Sequence, residues 1–200
     1  MFSARACEVP GCSRFAFFDS RFCHVHLAER DQLELKKACD RIRQQQTIIN
    51  QVLDDAMLMA EDFSRLKFIG CSIRNVKFQH VMFTGASFRL TFLDHSEFTS
   101  CDFSGIDVNF CSFGNSKFID CSFENSELIQ ANFNGCHFID CTFSSSNLYN
   151  SRFMLCTLEE VHFDNCDFKR AFFLPRSERG TTFIGSNIAE AVRDLEHLYL

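Results

Sequence analysis

Four residues near the start of the chain have the types and spacing to do chemistry. Cys7, Cys12, Cys23 and His26 form the pattern C-x4-C-x10-C-x2-H. Three thiolates and one imidazole suit a tetrahedral metal ion, Zn²⁺ above all. Pro10-Gly11 before Cys12 favours a tight turn that brings two sulfurs to one ion. Phe15, Phe17, Phe18 and Phe22 supply the small apolar core that such a module needs beside its metal. His24 is a less well spaced alternative ligand. Four protein ligands leave no open coordination position, so the expected ion is structural rather than catalytic. Residues 1–26 are therefore read as a zinc-knuckle-like module. Its arginines, Arg5, Arg14 and Arg21, are offset by Glu8 and Asp19. Protein contact or simple capping is favoured over nucleic-acid binding on that weak basic patch.

No other chemistry stands out. A nucleophile elbow, a phosphate loop and an HExxH motif are all missing from the 200 residues. The expectation is a protein that is not an enzyme and takes no small-molecule substrate. The composition is that of a soluble folded chain, 46% hydrophobic and 23% charged. The choice of apolar residue is unusual, with 26 Phe, 12 Cys and no Trp. No apolar run approaches the ~18 residues of a membrane helix, and no secretory leader is recognisable. A cytoplasmic location with reduced thiols is expected, and no membrane contact. The net charge of −6 argues against general nucleic-acid binding.

The elements that must carry these residues follow from a period of five. Every fifth residue from Phe68 to Phe173 is large and apolar, and most are Phe. Two residues before each stands a second series, mostly small and never charged: Cys71, Ala86, Ser96, Cys121, Ala131 and their equivalents. Polar residues lie between. A helix face repeats at 3.6 residues and a strand face at 2, so neither explains the pattern. A strict period of five needs a coil that returns each fifth side chain to one axis. Large and small inward residues then fill a narrow interior at solid-like density.

The pattern resembles the pentapeptide-repeat family. Cys121-Ser122-Phe123-Glu124-Asn125 and Ala131-Asn132-Phe133-Asn134-Gly135 carry the likeness, which covers residues 66–173 and returns at 181–188. The resemblance implies an all-β, right-handed quadrilateral β-helix with four repeats per coil. Coils would stack ~4.8 Å apart. Some members that confer fluoroquinolone resistance resemble duplex DNA in shape and charge and engage type II topoisomerases. The more acidic than basic repeat region is compatible with that role, while the N-terminal knuckle and the lack of a projecting loop before Pro175 depart from it.

Four repeats per coil place residues 20 apart above one another. Cys101, Cys121 and Cys141 then share an interior column, as do Cys136 and Cys156. Cysteine there reads as a small buried apolar residue. Outside, Asp120, Asp140 and Glu160 share a column, flanked by Ile119 and Ile139. Like charges in succession repel, so a purely structural ladder would alternate in sign, as Lys77, Glu97 and Lys117 do. The acidic and apolar strip is the candidate surface for a protein partner, whose identity the sequence does not give.

Residues 27–62 contain no Gly or Pro and are rich in helix formers, which predicts a long helix. Leu35, Ile42, Ile49 and Ala56 recur every seven residues, with Ala38, Val52 and Met59 three later. Two readings fit this stripe. One is a homodimeric coiled coil with Leu35, Ile42, Ile49, Val52, Ala56 and Met59 as its seam. The other is a helix, or a broken helical pair, folded back on the solenoid. The first is the expectation. The solenoid is then assigned to residues 63–188, with a charged loop at 174–182. A capping helix is assigned to 189–200, on which Val192, Leu195 and Leu198 form an apolar stripe. Together these readings describe an adaptor that presents a rigid wall, with the zinc module and helix setting assembly. The alternatives are a DNA-mimic regulator of a topoisomerase and nucleic-acid binding through the knuckle.

Overall fold

The computed structural model describes residues 4–30 and 32–194 of the 200-residue chain. Each five-residue repeat uses its residues in the same way. The large residue at the centre and the small one two before it point inward, and both are buried along almost the whole chain. The residue two after the centre takes a left-handed backbone conformation, from Asn50 and Asp55 through Asp140 to Arg170. That turn redirects the chain at every repeat. Asn, Asp and Gly tolerate it best, which is why they crowd these corners.

Four repeats close one turn, so each strand pairs in parallel with the segment 20 residues later. Thr47 pairs with Lys67, Phe68 with Phe88, and Phe98 with Phe118. One wall is a seven-stranded parallel sheet that runs from Met57–Met59 to Ser177–Arg179. The solenoid has about seven turns, a rod of roughly 34 Å at the ~4.8 Å strand spacing. Its axis is a ladder of rings. Phe103, Phe123 and Phe143 stack at 4.7 Å and within 2° of parallel. Rings in adjacent columns meet edge to face, as Phe118 and Phe123 do at 5.4 Å. Both arrangements suit the quadrupole of the aromatic ring.

The small inward residues are satisfied as well as buried. Ser116 Oγ donates to the Leu93 carbonyl at 3.0 Å and accepts the Ser96 N–H at 3.0 Å. The cysteines do the same less strongly, as Cys136 Sγ does to the Phe113 carbonyl at 3.0 Å. Burial pushes the Cys111 and Cys156 thiols up to about 12, so these thiols remain protonated packing groups.

The helix expected over 27–62 is not continuous. It is a pair, α1 (His24–Arg30) and α2 (Gln32–Gln44), and the first coil begins at Thr47–Ile49. Thr47, Ile48 and Ile49 are β-branched and favour strand over helix. Ile48, Leu53, Leu58 and Phe63 then fall in phase with the fivefold series and are buried on the axis. The solenoid therefore starts about 16 residues earlier than the 63 expected from sequence. The proposed dimer seam is lost with the helix. Ile42 of α2 is buried in the core, and Val52 and Ala56 are buried in the first coil. Leu35 is half-buried against the core, whereas Ile49 and Met59 lie on outer walls, 53% and 54% exposed. Residues seven apart share a face only on a helix, and this segment is strand. The folded-back helical pair is what forms. Phe17, Leu27, Ala38, Cys39 and Ile42 join one core with Ile48 and Leu53, and the pair caps the first coil.

The far end also differs. The segment read as a charged loop contains a strand, Ser177–Arg179, paired with Thr157–Glu159. Ile188–Glu190 is a single 3₁₀ turn, and Val192 bridges to Phe172 in extended form. The repeat register thus runs on where a helix over 189–200 was expected. Leu195 and Leu198 of that expected helix lie outside the described residues.

Candidate metal centre and the walls of the solenoid

The first 30 residues are built to gather four ligands. Ala6 and Phe15 bridge two antiparallel segments, and the Cys7 N–H donates to the Arg14 carbonyl at 3.0 Å. Between them the Cys12 N–H closes a turn on Val9 through Gly11 at φ +80°. Cys23 directly precedes α1, and His26 lies in its first turn. All four ligand atoms lie within 4.8 Å of one another. Cys7 Sγ and Cys23 Sγ are each 3.4 Å from His26 Nδ1, and Cys12 Sγ is 3.9 Å from Cys23 Sγ. A tetrahedron with metal–sulfur bonds of ~2.3 Å and metal–nitrogen bonds of ~2.0 Å has edges of ~3.8 and ~3.5 Å. The donor set and its spacing fit a tetrahedral ion.

The electrostatics agree. Burial pushes the Cys7 thiol up. The Cys23 N–H, the Val9 backbone, His26 and Cys12 outweigh it and bring the thiol down to about 6. Burial raises the neighbouring Cys23 thiol, and Cys7 and Cys12 add to that rise. A thiol already lowered suits ligation, which needs the sulfur deprotonated. His24 does not join the cluster. Its Nε2 faces the Met57 N–H at 3.4 Å and ties α1 to the first coil. Two of the module's three arginines are engaged, Arg21 with Glu8 and Arg14 with Asp55 at 3.6 Å, and Arg41 of α2 holds its Asp19 at 3.0 Å. Arg5 alone is left as an exposed arginine of the module without an ion pair among the described residues, a small charge for a phosphate backbone.

The solenoid presents walls of distinct chemistry. On the seven-stranded wall opposite charges alternate. Lys77 and Glu97 pair at 3.1 Å, and Glu159 is held by His137 at 3.2 Å and Arg179 at 2.8 Å. Ile119 and Ile139 are register partners on the same wall. At its edge Asp120, Asp140 and Glu160 stand exposed at successive left-handed corners. Ser100 Oγ donates to Asp120 at 2.9 Å. The sequence-derived strip is thus one contiguous column of corners beside a pair of isoleucines.

Around that edge the next wall carries acids without bases. Its outward positions from Met82 to Ile184 hold Asp102, Glu124 and Asp164 among Ser, Thr and His, with no Lys or Arg. Asp102 accepts from Thr84 Oγ1 at 2.7 Å and the Ser104 N–H at 2.8 Å. Burial alone would raise its carboxyl, but these donors hold it below the usual range. Asp164 is pinned by Thr182 Oγ1 and the Ile184 N–H, both at 2.8 Å. Sequence columns revealed the corner acids one by one. The absence of cations emerges only when neighbouring columns are laid side by side.

These features define a class: a four-sided parallel β-solenoid of five-residue repeats, capped by a small Cys3His module. Residues 116–192 match a family model described as a pentapeptide repeat region, and residues 96–135 match pentapeptide repeats in eight copies. The chain thus carries a pentapeptide-repeat region over residues 96–192. No curated protein matches its sequence. Among solved structures it is similar to QnrB1, a plasmid-mediated fluoroquinolone resistance protein, with a TM-score of 0.50 and 17% identity. That match covers 76% of this chain and 86% of QnrB1. Rfr23 from the cyanobacterium Cyanothece 51142 matches at a TM-score of 0.32 and 13% identity, over 80% of this chain and 99% of its own. HetL from Nostoc sp. strain PCC 7120, involved in heterocyst differentiation regulation, matches at 0.28 and 12%, over 72% and 86%. At such identities the likeness is one of fold. Among the described residues no helix is long and apolar enough to cross a membrane.

Proposed function

We propose that the protein is a non-catalytic interaction protein whose acid-only wall and adjoining strip dock a basic, partly apolar protein surface. The N-terminal module, held by a structural Zn²⁺ on Cys7, Cys12, Cys23 and His26, caps the first coil and fixes the helix pair. The observation that carries the reading is the charge pattern. Asp102, Asp120, Glu124, Asp140, Glu160 and Asp164 share one wall and its edge with no Lys or Arg among them. Neighbouring acids ~5 Å apart repel by somewhat under 1 kcal/mol per pair even in water, and the seven-stranded wall relieves such repulsion by pairing, as Lys77 with Glu97 and Arg179 with Glu159. A rigid wall also loses little freedom on binding. The solenoid axis is filled with buried rings rather than hollow.

The test is recovery of partners from native cell extract with the wild-type chain and with Asp120→Lys/Asp140→Lys/Glu160→Lys. Salt-sensitive partners lost by the triple variant support the reading, and the same set recovered by both proteins refutes it. Elemental analysis of the purified chain should give one zinc per molecule, and a metal-free folded module would remove the zinc assignment.

The same wall favours a second reading, a DNA-mimic-like protector of a type II topoisomerase. Gyrase supercoiling in the presence of a fluoroquinolone separates the two. Protection at micromolar protein, lost in the triple variant, supports this reading, and no protection refutes it.

A further inference from the structure

Between α2 and the first coil lies an open cavity of about 600 Å³. Its floor is Leu58 and Cys39, both buried, and its sides are Leu35, Met57 and Met59. The two methionines remain 48% and 54% exposed, so the helix does not cover them. The repeat supplies its own control for these positions. Met57 is in register with Lys77, Glu97, Lys117 and His137, and Met59 with Gln79, Thr99, Ile119 and Ile139. The outward methionine pair occurs in the coil beneath α2, where the coils above carry at least one polar group. Lys36 stands exposed at the rim and forms no ion pair with a described carboxylate. The other rim cation, Arg43, is already held by Asp40 and Glu61.

We infer that this groove binds a single-chain carboxylate amphiphile, a medium-chain fatty acid, with its tail on Met57, Met59 and Leu35 and its carboxylate at Lys36. The cavity falls within the ~300–1,000 Å³ of small-molecule sites. Flexible thioethers adapt to an unbranched tail. The cation left unpaired at the mouth is what an anionic head needs. Size argues against a protein occupant. From Lys36 to Arg43 the helix offers about 10 Å, and from Met57 to Met59 the strand adds a side of about 7 Å. A specific dimer needs about 800 Å² on each partner, far more than so short a groove supplies. A tail of roughly eight to ten carbons spans that length. The inference is independent of the acid-only wall and of the zinc assignment.

The experiment titrates octanoate, decanoate and dodecanoate into the full chain labelled with ¹³C-methyl methionine. Saturable shifts are expected at Met57 and Met59, with Met82 unmoved. Affinity should rise about two- to fourfold per methylene and then level off as the tail outruns the groove. No saturable shift, or equal shifts at Met82, overturns the inference. Met57→Lys/Met59→Gln installs the residues of the next coil, Lys77 and Gln79, and so leaves the repeat intact. This variant should melt as the wild type does and bind at least tenfold more weakly; undiminished binding overturns the site. Lys36→Ala should weaken decanoate about two- to fivefold, as expected for an exposed charge pair, and leave decanol unchanged. Equal losses for both overturn the head-group assignment. Light scattering tests a second copy as occupant: a monomer is expected, and a dimer that the double variant converts to monomer would overturn the fatty-acid reading.

Discussion

Phe123 lies near the middle of the solenoid, and truncating it tests the ring ladder as the source of stability. The side chain is fully buried. It stacks on Phe103 and Phe143 at 4.7 Å and meets Phe118 and Phe133 edge to face at 5.4 and 6.0 Å. Phe→Ala at such a site costs about 3–5 kcal/mol, the sum of lost transfer energy and the cavity left behind. Each lost ring pair contributes about 0.5–1.5 kcal/mol of that. The interior has no room to collapse, because each coil is fixed by its hydrogen bonds to the next. The expected loss is therefore near the upper end. Phe183 provides the comparison. It is half-buried and stacks on one column neighbour, Phe163, at 5.6 Å. Phe183→Ala should cost about half as much. Phe123→Leu, which copies the leucines at 128 and 148, should cost less than about 1.5 kcal/mol. Urea unfolding followed by far-UV circular dichroism measures all three. A Phe123→Ala midpoint within about 1 kcal/mol of wild type, or equal losses at 123 and 183, would refute the ladder as the stabilising core.

Three further outcomes follow from local geometry. Gly135 has φ +71° and a Cβ there would collide with the Asn115 side chain, so Gly135→Ala should destabilise by about 1–3 kcal/mol. Gly105→Ala, at φ +67° with open space around it, should cost clearly less in the same thermal melts. The carboxyls of Asp102 and Asp167 are held below the usual range, Asp102 by hydroxyl and N–H donors against its burial and Asp167 first by Asn187. A depressed carboxyl contributes stability above its unfolded pKa and loses it as pH falls through the folded value. Tm should therefore drop on acidification through and below the usual carboxylate range, and Asp102→Asn should flatten that slope. Chelation or Cys23→Ala should unfold the module without melting the ring ladder. The sign is a low-temperature loss of structure that leaves the main transition of the solenoid in place, and a single merged transition would argue against a separately metal-held cap.

The solenoid was readable from sequence because its inward positions repeat with little variation, and 20-residue columns follow from that by counting. The Cys3His cluster was readable for a different reason: metal ligation needs particular atoms at short spacing, whatever surrounds them. The first coil was not readable. Ile48, Leu53 and Leu58 lack the Phe that marks the later repeats, and residues 35, 42, 49 and 56 happen to recur every seven. A heptad and a pentad compete over such a stretch, and helix propensity favours the wrong one. The β-branched run at 47–49 and the corner formers Asn50 and Asp55 were the local signal for strand. The groove under α2 was out of reach for another reason, since it depends on the angle at which the helix pair lies on the coil.

A repeat protein lets each position be compared with its own copies, and departures from the rule show where something besides folding is required. Outward Met57 and Met59 depart where the helix pair leaves a groove. Acids without bases depart along one wall, where pairing would have been available. At the far end the departure is inward. Glu178 occupies the register position of Leu158, where a large apolar residue would continue the axis. It pairs with Arg193 at 3.1 Å, and the Arg193 guanidinium lies 5.7 Å from the Phe173 ring. A charged pair beside the Phe173 ring makes that end a poor template for another coil, because burying the pair would strip it of solvent. Among the described residues one end is thus capped by a folded module, and the other carries an ion pair where the next inward residue would stand.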